Sequence, residues 1–239
     1  MSSVKYEEVE IASIGYKIAH SLNLVLFTLL AITGVLLLFP GLFNWLAYAV
    51  GAPLAAAVGL PATSVGLELG RTSHRFLGML WGLFLIVYGI YLVMFNRVRI
   101  FDALRKPISH QIREASALTK HYLLGKPLPE DVAKNLERHN VLVAYMTILL
   151  FIGVVLLSAS GVLMVYRDVL GLSLNDFRLL LLMHDLGFYL SLIFVLLHLF
   201  ASLHPSNRPL LVAMFGYGKV SLEWVQKHMP RFLSRVQRG

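Results

Sequence analysis

Four apolar stretches, Ile18–Phe39, Phe76–Phe95, Val141–Val165 and about Leu179–Leu203, approach or exceed the roughly 20 residues that a helix needs to cross about 30 Å of hydrocarbon. Nothing constrains the chain more. In lipid each backbone N–H and C=O must find its partner inside the segment, so such stretches fold as helices. The remaining composition agrees: 57% of the 239 residues are hydrophobic, 14% are charged and the mean hydropathy is +0.71, too apolar for a soluble domain of this length. The first stretch follows the acidic Glu7, Glu8 and Glu10 rather than a basic leader and is long enough to span, which predicts a permanent helix and no cleaved signal peptide. The expected fold is all-α, an integral membrane four-helix bundle in one domain, 1–239, with short interfacial helices.

Between the first and second spans lies an Ala/Gly/Pro-rich stretch, Gly41–Ser73. Its Phe43, Trp45 and Tyr48 suit an interfacial helix or a surface loop. Gly51, Pro53, Gly59 and Pro61 interrupt its apolar part and argue against a fifth crossing. Charge then orients the spans. Lys and Arg number two in residues 1–17, nine in 97–139 and six in 205–239, against one in 41–73 and two in 166–180. By the positive-inside rule both termini and the 97–139 loop are cytoplasmic, and four spans close that parity. The net charge of +8 therefore reads as a basic membrane edge and not as a nucleic-acid surface. The 97–139 loop also holds five acidic residues and is expected to form short amphipathic helices against the lipid surface.

An ionisable residue within a spanning helix is costly and points to function. Four histidines qualify. His20 is close to the inner start of span one, His74 at the outer start of span two, His184 near the outer end of span four and His198 near its inner end. Topology sorts them by depth into His74 with His184 and His20 with His198. From His184 to His198 is 14 residues, which returns to within about 40° of the same helix face and rises roughly 21 Å. Two stacked sites facing one bundle interior result. A b-type haem iron takes two axial imidazoles at equal depth on facing helices, and both levels meet that requirement. Gly34, four helical turns beyond His20, and Gly153, Ser158 and Gly161 on span three offer small residues where a macrocycle approaches a backbone. The rival readings are helix–helix hydrogen bonds, a proton path, or zinc, for which two histidines per site supply too few ligands. With no cysteine, the chain carries no disulfide, no cysteine-ligated iron–sulfur cluster and no covalently attached haem.

At these residues the sequence resembles the cytochrome b (gamma) subunits of the formate dehydrogenase and thiosulfate reductase family. The resemblance runs through Lys17-Ile18-Ala19-His20, Thr33-Gly34, His74-Arg75-Phe76-Leu77-Gly78, His121-Tyr122-Leu123-Leu124-Gly125, Arg138-His139-Asn140, His184, His198 and the tail Gly218-Lys219-Val220-Ser221, Trp224 and His228-Met229-Pro230. It implies two haem b groups, the inner held by His20 and His198 and the outer by His74 and His184. It also implies a quinone, menaquinone or ubiquinone, bound near the inner haem, where Asn140 matches a family asparagine. Val143 and Ala144 stand where that family carries a Gln-Lys pair. Tyr16, His139, Asn140 and His204 are the nearby groups able to bond a quinone oxygen.

The resemblance implies a membrane-anchor subunit in a prokaryotic plasma membrane. It would pass electrons between a peripheral iron–sulfur subunit on the outer face, itself joined to a molybdenum or tungsten catalytic subunit, and a quinone near the cytoplasmic face. Alternatives are a hydrogenase-type or b561-like cytochrome b, or a non-haem four-helix transporter or anchor that uses histidine for proton transfer. Arg71, Arg75 and Arg138 are either haem-propionate partners or snorkelling flank residues. Asp185 either orients the neighbouring imidazole or makes a helix-end polar contact. His110, His121 and His228 read as surface or subunit-contact residues.

Overall fold

A computed structural model describes residues 7–94 and 99–236; Phe95, the expected end of the second span, lies outside them. In chain order the elements are β1 (Glu8–Glu10), α1 (Ile14–Leu38), α2 (Asn44–Val58), α3 (Ala62–Met94), a 3-10 turn (Ile100–Arg105), α4 (Ile108–Leu124), α5 (Glu130–Ala133), α6 (Val141–Val165), α7 (Leu174–Leu203), a second 3-10 turn (Pro205–Asn207), α8 (Arg208–Phe215), β2 (Lys219–Ser221), α9 (Leu222–His228) and α10 (Pro230–Val236). Among the described residues α1, α3, α6 and α7 are long and apolar enough to cross a membrane. The all-α membrane fold expected from the four apolar stretches is the one that forms. Phe76, Leu83, Ile86, Val87 and Ile90 of α3 are each more than half exposed, a surface that suits lipid and not water.

The helix starts have local causes. Ser13 Oγ accepts from the Tyr16 amide ahead of α1, and the Asn140 side chain accepts from the Val143 amide at 3.1 Å to cap α6. At α7 a reciprocal capping box joins Ser173 and Asp176: the carboxylate takes the Ser173 amide at 2.9 Å and Ser173 Oγ takes the Asp176 amide at 3.2 Å. This cap starts α7 at Leu174, ahead of the apolar run. The second span differs more from expectation. Its helix begins at Ala62, where the apolar stretch begins only at Phe76. Glu68 and Arg71, an ion pair one helical turn apart, keep the first turns polar while leaving them helical. His74 therefore lies about 18 Å inside α3 rather than at its start.

The chain divides into two compact units. One gathers Ile18–Met94 and Ser158–Leu182. In it, α2 ends at Gly59, whose left-handed φ of 70° closes a turn that returns the chain into α3. The two helices then pack backbone to backbone. A Cβ on Gly51 would fall 1.9 Å from the Ala62 carbonyl oxygen, and one on Gly66 would fall 1.8 Å from that of Ala47. Gly51, which argued against a fifth crossing, is thus a contact of a helical hairpin, and Gly66 is its counterpart on α3. In the same unit α1 and α3 run antiparallel: Thr33 meets His74, Leu30 approaches Gly78 and Asn23 accepts from Trp81 Nε1 at 2.8 Å.

The other unit gathers Met1–Lys17, Phe95–Leu157 and Met183–Gly239. Here β1 pairs antiparallel with β2, matching Glu8 to Ser221, Val9 to Val220 and Glu10 to Lys219. The segment ahead of α1 is thereby joined to the segment after α8, which is compatible with an even number of spans. Ile11, Ala213, Val220, Val225, Met229 and Leu233 form a small core around this sheet. The head of α6 is held from α4. Glu114, only 5% exposed, accepts from the Val141 amide at 3.0 Å and pairs with Lys106 at 2.5 Å, while Gln111 bonds the carbonyls of Leu104 and Lys106 and accepts from the Tyr145 hydroxyl. Further along, α6 and α7 cross closely. A Cβ on Gly153 would fall 2.6 Å from Ser191 Oγ, and one on Gly187 would fall 2.8 Å from the Gly153 carbonyl oxygen.

Candidate functional site

All four intramembrane histidines are half-buried on long helices. His74 is the best defined. Its imidazole lies over Gly34 of α1, where a Cβ would come within 3.2 Å of Cε1, and its Nδ1 is 2.9 Å from Thr33 Oγ1. Thr33 Oγ1 in turn lies 2.9 Å from the Leu29 carbonyl oxygen and 3.1 Å from that of Leu30. The glycine expected to make room beside a macrocycle therefore makes room for a histidine ring. In the other unit His184 of α7 hydrogen-bonds to the backbone carbonyl of Leu157 on α6. His198, further along α7, stacks on Phe194 with centroids 5.5 Å apart and planes 10° apart.

The spacing along the helices is shared by the two units. On α7, about four helical turns separate His184 from His198. On α1, the same four turns separate His20 from Gly34, and His74 is seated on Gly34. Each unit thus carries two imidazoles about 20 Å apart along its helices. Orientation by a second hydrogen bond is what metal-ligating histidines have, and His74 and His184 both have one. The donor set, imidazoles in even number with no thiolate, fits the two axial positions of haem b iron and is short of tetrahedral zinc.

Thr33 and the Leu157 carbonyl are contributors that sequence reasoning did not single out. Thr33 was legible only as part of a Thr-Gly pair, and a backbone carbonyl leaves no sequence trace. One expectation changes: Gly153 gives no clearance to a ligand within its unit, because Ser191 and Gly187 fill the space.

The residues suggested for a quinone fall into two groups. Tyr16 carries the Arg138 guanidinium over its ring, 5.7 Å from the centroid, beside His139 in sequence. Asn140 follows, and its Oδ1 is used to cap α6. Ala144, where the family pattern has a lysine, is fully buried in an apolar cluster with Ala103 and Val141. His204 lies past the end of α7, where its Nδ1 accepts from the Ser206 amide at 3.3 Å and its ring packs edge-on against Tyr122 at 4.9 Å. His121 joins this second group, its ring 6.3 Å from His204 and its Nδ1 2.8 Å from the Lys126 carbonyl. Of the expected surface residues, His228 stacks on Trp224 at 4.4 Å, and His110 lines a charged cleft of about 780 Å³ beside α4. Arg71 is paired with Glu68.

Replacing Asn140 with Ala is expected to remove the α6 cap, about 1 kcal/mol. In a thermal melt of the purified protein this should lower Tm by about 2–4 °C. An unchanged Tm would remove the capping role.

A family model described as prokaryotic cytochrome b561 matches residues 12–217. No curated protein matches the chain.

Proposed function

Because the chain belongs to the prokaryotic cytochrome b561 family, and so is a membrane electron-transfer protein with haem b, we propose that it holds two haems at two depths: an outer one on His74 and His184, an inner one on His20 and His198. The observation that carries this reading is the repeated spacing, about four helical turns between the histidines of α7 and the same between His20 and the glycine beneath His74. Haem b supplies reversible one-electron transfer when bound. What the chain contributes is position: imidazoles at two levels, ring orientation through Thr33 and Leu157, and a dry apolar surround.

We further propose that the chain passes electrons between a peripheral iron–sulfur subunit on the outer face and a quinone near the cytoplasmic face, as the membrane anchor of a respiratory oxidoreductase in a prokaryotic plasma membrane. Quinone reduction takes two electrons and two protons, so two single-electron arrivals complete each turnover. Proton uptake from the cytoplasmic side would contribute to a membrane potential. Tyr16, His139, Asn140 and His204 are the residues we assign to quinone contact. The formate dehydrogenase-type partner is supported by the motif resemblance, while the family match favours a second reading, a b561-type carrier without a molybdenum or tungsten partner.

The test is optical. The purified protein, reduced with dithionite, is expected to show a b-type α-band and two haems per chain by pyridine haemochrome. One haem per chain would remove the two-level reading, and none would remove ligation altogether. Mild-detergent purification of the intact complex decides between the two partners, since a co-purifying iron–sulfur subunit is expected only under the first.

A further inference from the structure

Thr33 sits where it can do more than join two helices. Its hydroxyl has a single hydrogen, and its neighbours at 2.9 and 3.1 Å, the carbonyls of Leu29 and Leu30, can only accept. When that hydrogen goes to the backbone of α1, the oxygen turns a lone pair toward His74 Nδ1 at 2.9 Å and Nδ1 is the donor, so the direction of this bond and the tautomer of the ring are set together. A neutral imidazole protonated at Nδ1 has its lone pair on Nε2. Gly34 completes the arrangement, since a Cβ there would stand 3.2 Å from Cε1, closer than ordinary van der Waals contact.

We propose that Thr33 is a positioning residue for the outer haem: it selects the His74 tautomer that ligates through Nε2, and by accepting from Nδ1–H it increases the imidazole's electron donation and lowers that haem's reduction potential. The inference rests on His74 being a haem ligand, as proposed above. Nothing equivalent to the hydroxyl is needed at His184, whose ring meets a backbone carbonyl. The two ligands of one haem would thus be oriented by different groups, only one of which a side-chain substitution can remove.

Thr33→Val keeps the side-chain shape and removes the acceptor. Redox titration of the α-band in detergent is expected to show two haems per chain in the variant, with one potential raised. Loss of one neutral hydrogen bond corresponds to a change of about three- to tenfold in the reduction equilibrium, or about 30–59 mV for a one-electron couple. Thr33→Ser, which restores a hydroxyl, should return that potential toward the original value. A purely structural hydrogen bond would lower the melting temperature and leave both potentials unmoved, and that result overturns the proposal. So does a shift in the haem that survives His74→Ala. Should Thr33→Val fold poorly, Thr33→Ala carries the same potential measurement. A His74→Ala variant that keeps two haems sinks the ligand assignment itself, which is a different failure from unmoved potentials in a protein that loses one haem on that substitution.

Discussion

His198→Ala is expected to reduce the haem content from two per chain to one. On the proposed pairing the substitution leaves the inner iron with His20 alone, and a non-covalent haem b with one axial protein ligand in a site built for two is readily lost on purification. The outer level should survive unchanged. His74 is oriented by Thr33 and Gly34, and His184 by the Leu157 carbonyl, about 20 Å from position 198 along α7. The expected readout is halved pyridine haemochrome stoichiometry, with one remaining α-band component whose potential matches one of the two in the unaltered protein. If two haems persist, or if the surviving component is the one that also persists in His74→Ala, the pairing by depth is wrong.

Gly66→Ala carries the largest expected cost to folding. The added methyl would fall 1.8 Å from the Ala47 carbonyl oxygen, 2.6 Å from its carbon and 3.0 Å from its Cα, all of them backbone atoms that no rotamer change can withdraw. The α2–α3 hairpin must open by more than about 1 Å, and overpacking of this kind costs on the order of 1–3 kcal/mol or more. In lipid or detergent the loss falls on van der Waals contact, which is the main force holding such helices together. Sharply reduced yield of monodisperse protein, and cleavage between α2 and α3 under limited proteolysis, are the expected results. Gly15→Ala is the control, because nothing lies within 4 Å of a Cβ there and alanine favours the helix. Equal behaviour of the two variants would show that the α2–α3 contact is looser than described.

Much of the fold was legible because lipid leaves the backbone no alternative. Four runs of about 20 apolar residues become four helices whatever their neighbours do, and Ser13, Asn140 and Ser173 mark starts that a reader of caps can find. The stretch from Gly41 to Ser73 was not legible in the same way. Gly51, Gly59 and Gly66 look alike in the sequence, yet Gly59 turns the chain while the other two bring helices into contact. Glu68 and Arg71 hid the first turns of α3 from any apolar count.

Residue order and composition are enough to say which groups can act: a chain without cysteine, apolar enough to live in lipid, with two histidines in register on one helix and four that the order of the spans leads us to propose as two pairs. Periodicity and charge asymmetry are properties of the chain, so they survive without a fold. What surrounds those histidines came only from folding. It seated His74 on Gly34 and against Thr33, brought His184 to the Leu157 carbonyl, turned Asn140 into a cap and filled the space at Gly153 with Ser191. Apart from the local cap, each of these is a contact between residues distant in sequence, set by the crossing of helices. Their packing in lipid depends on a few ångströms of shape, which no one-dimensional pattern records.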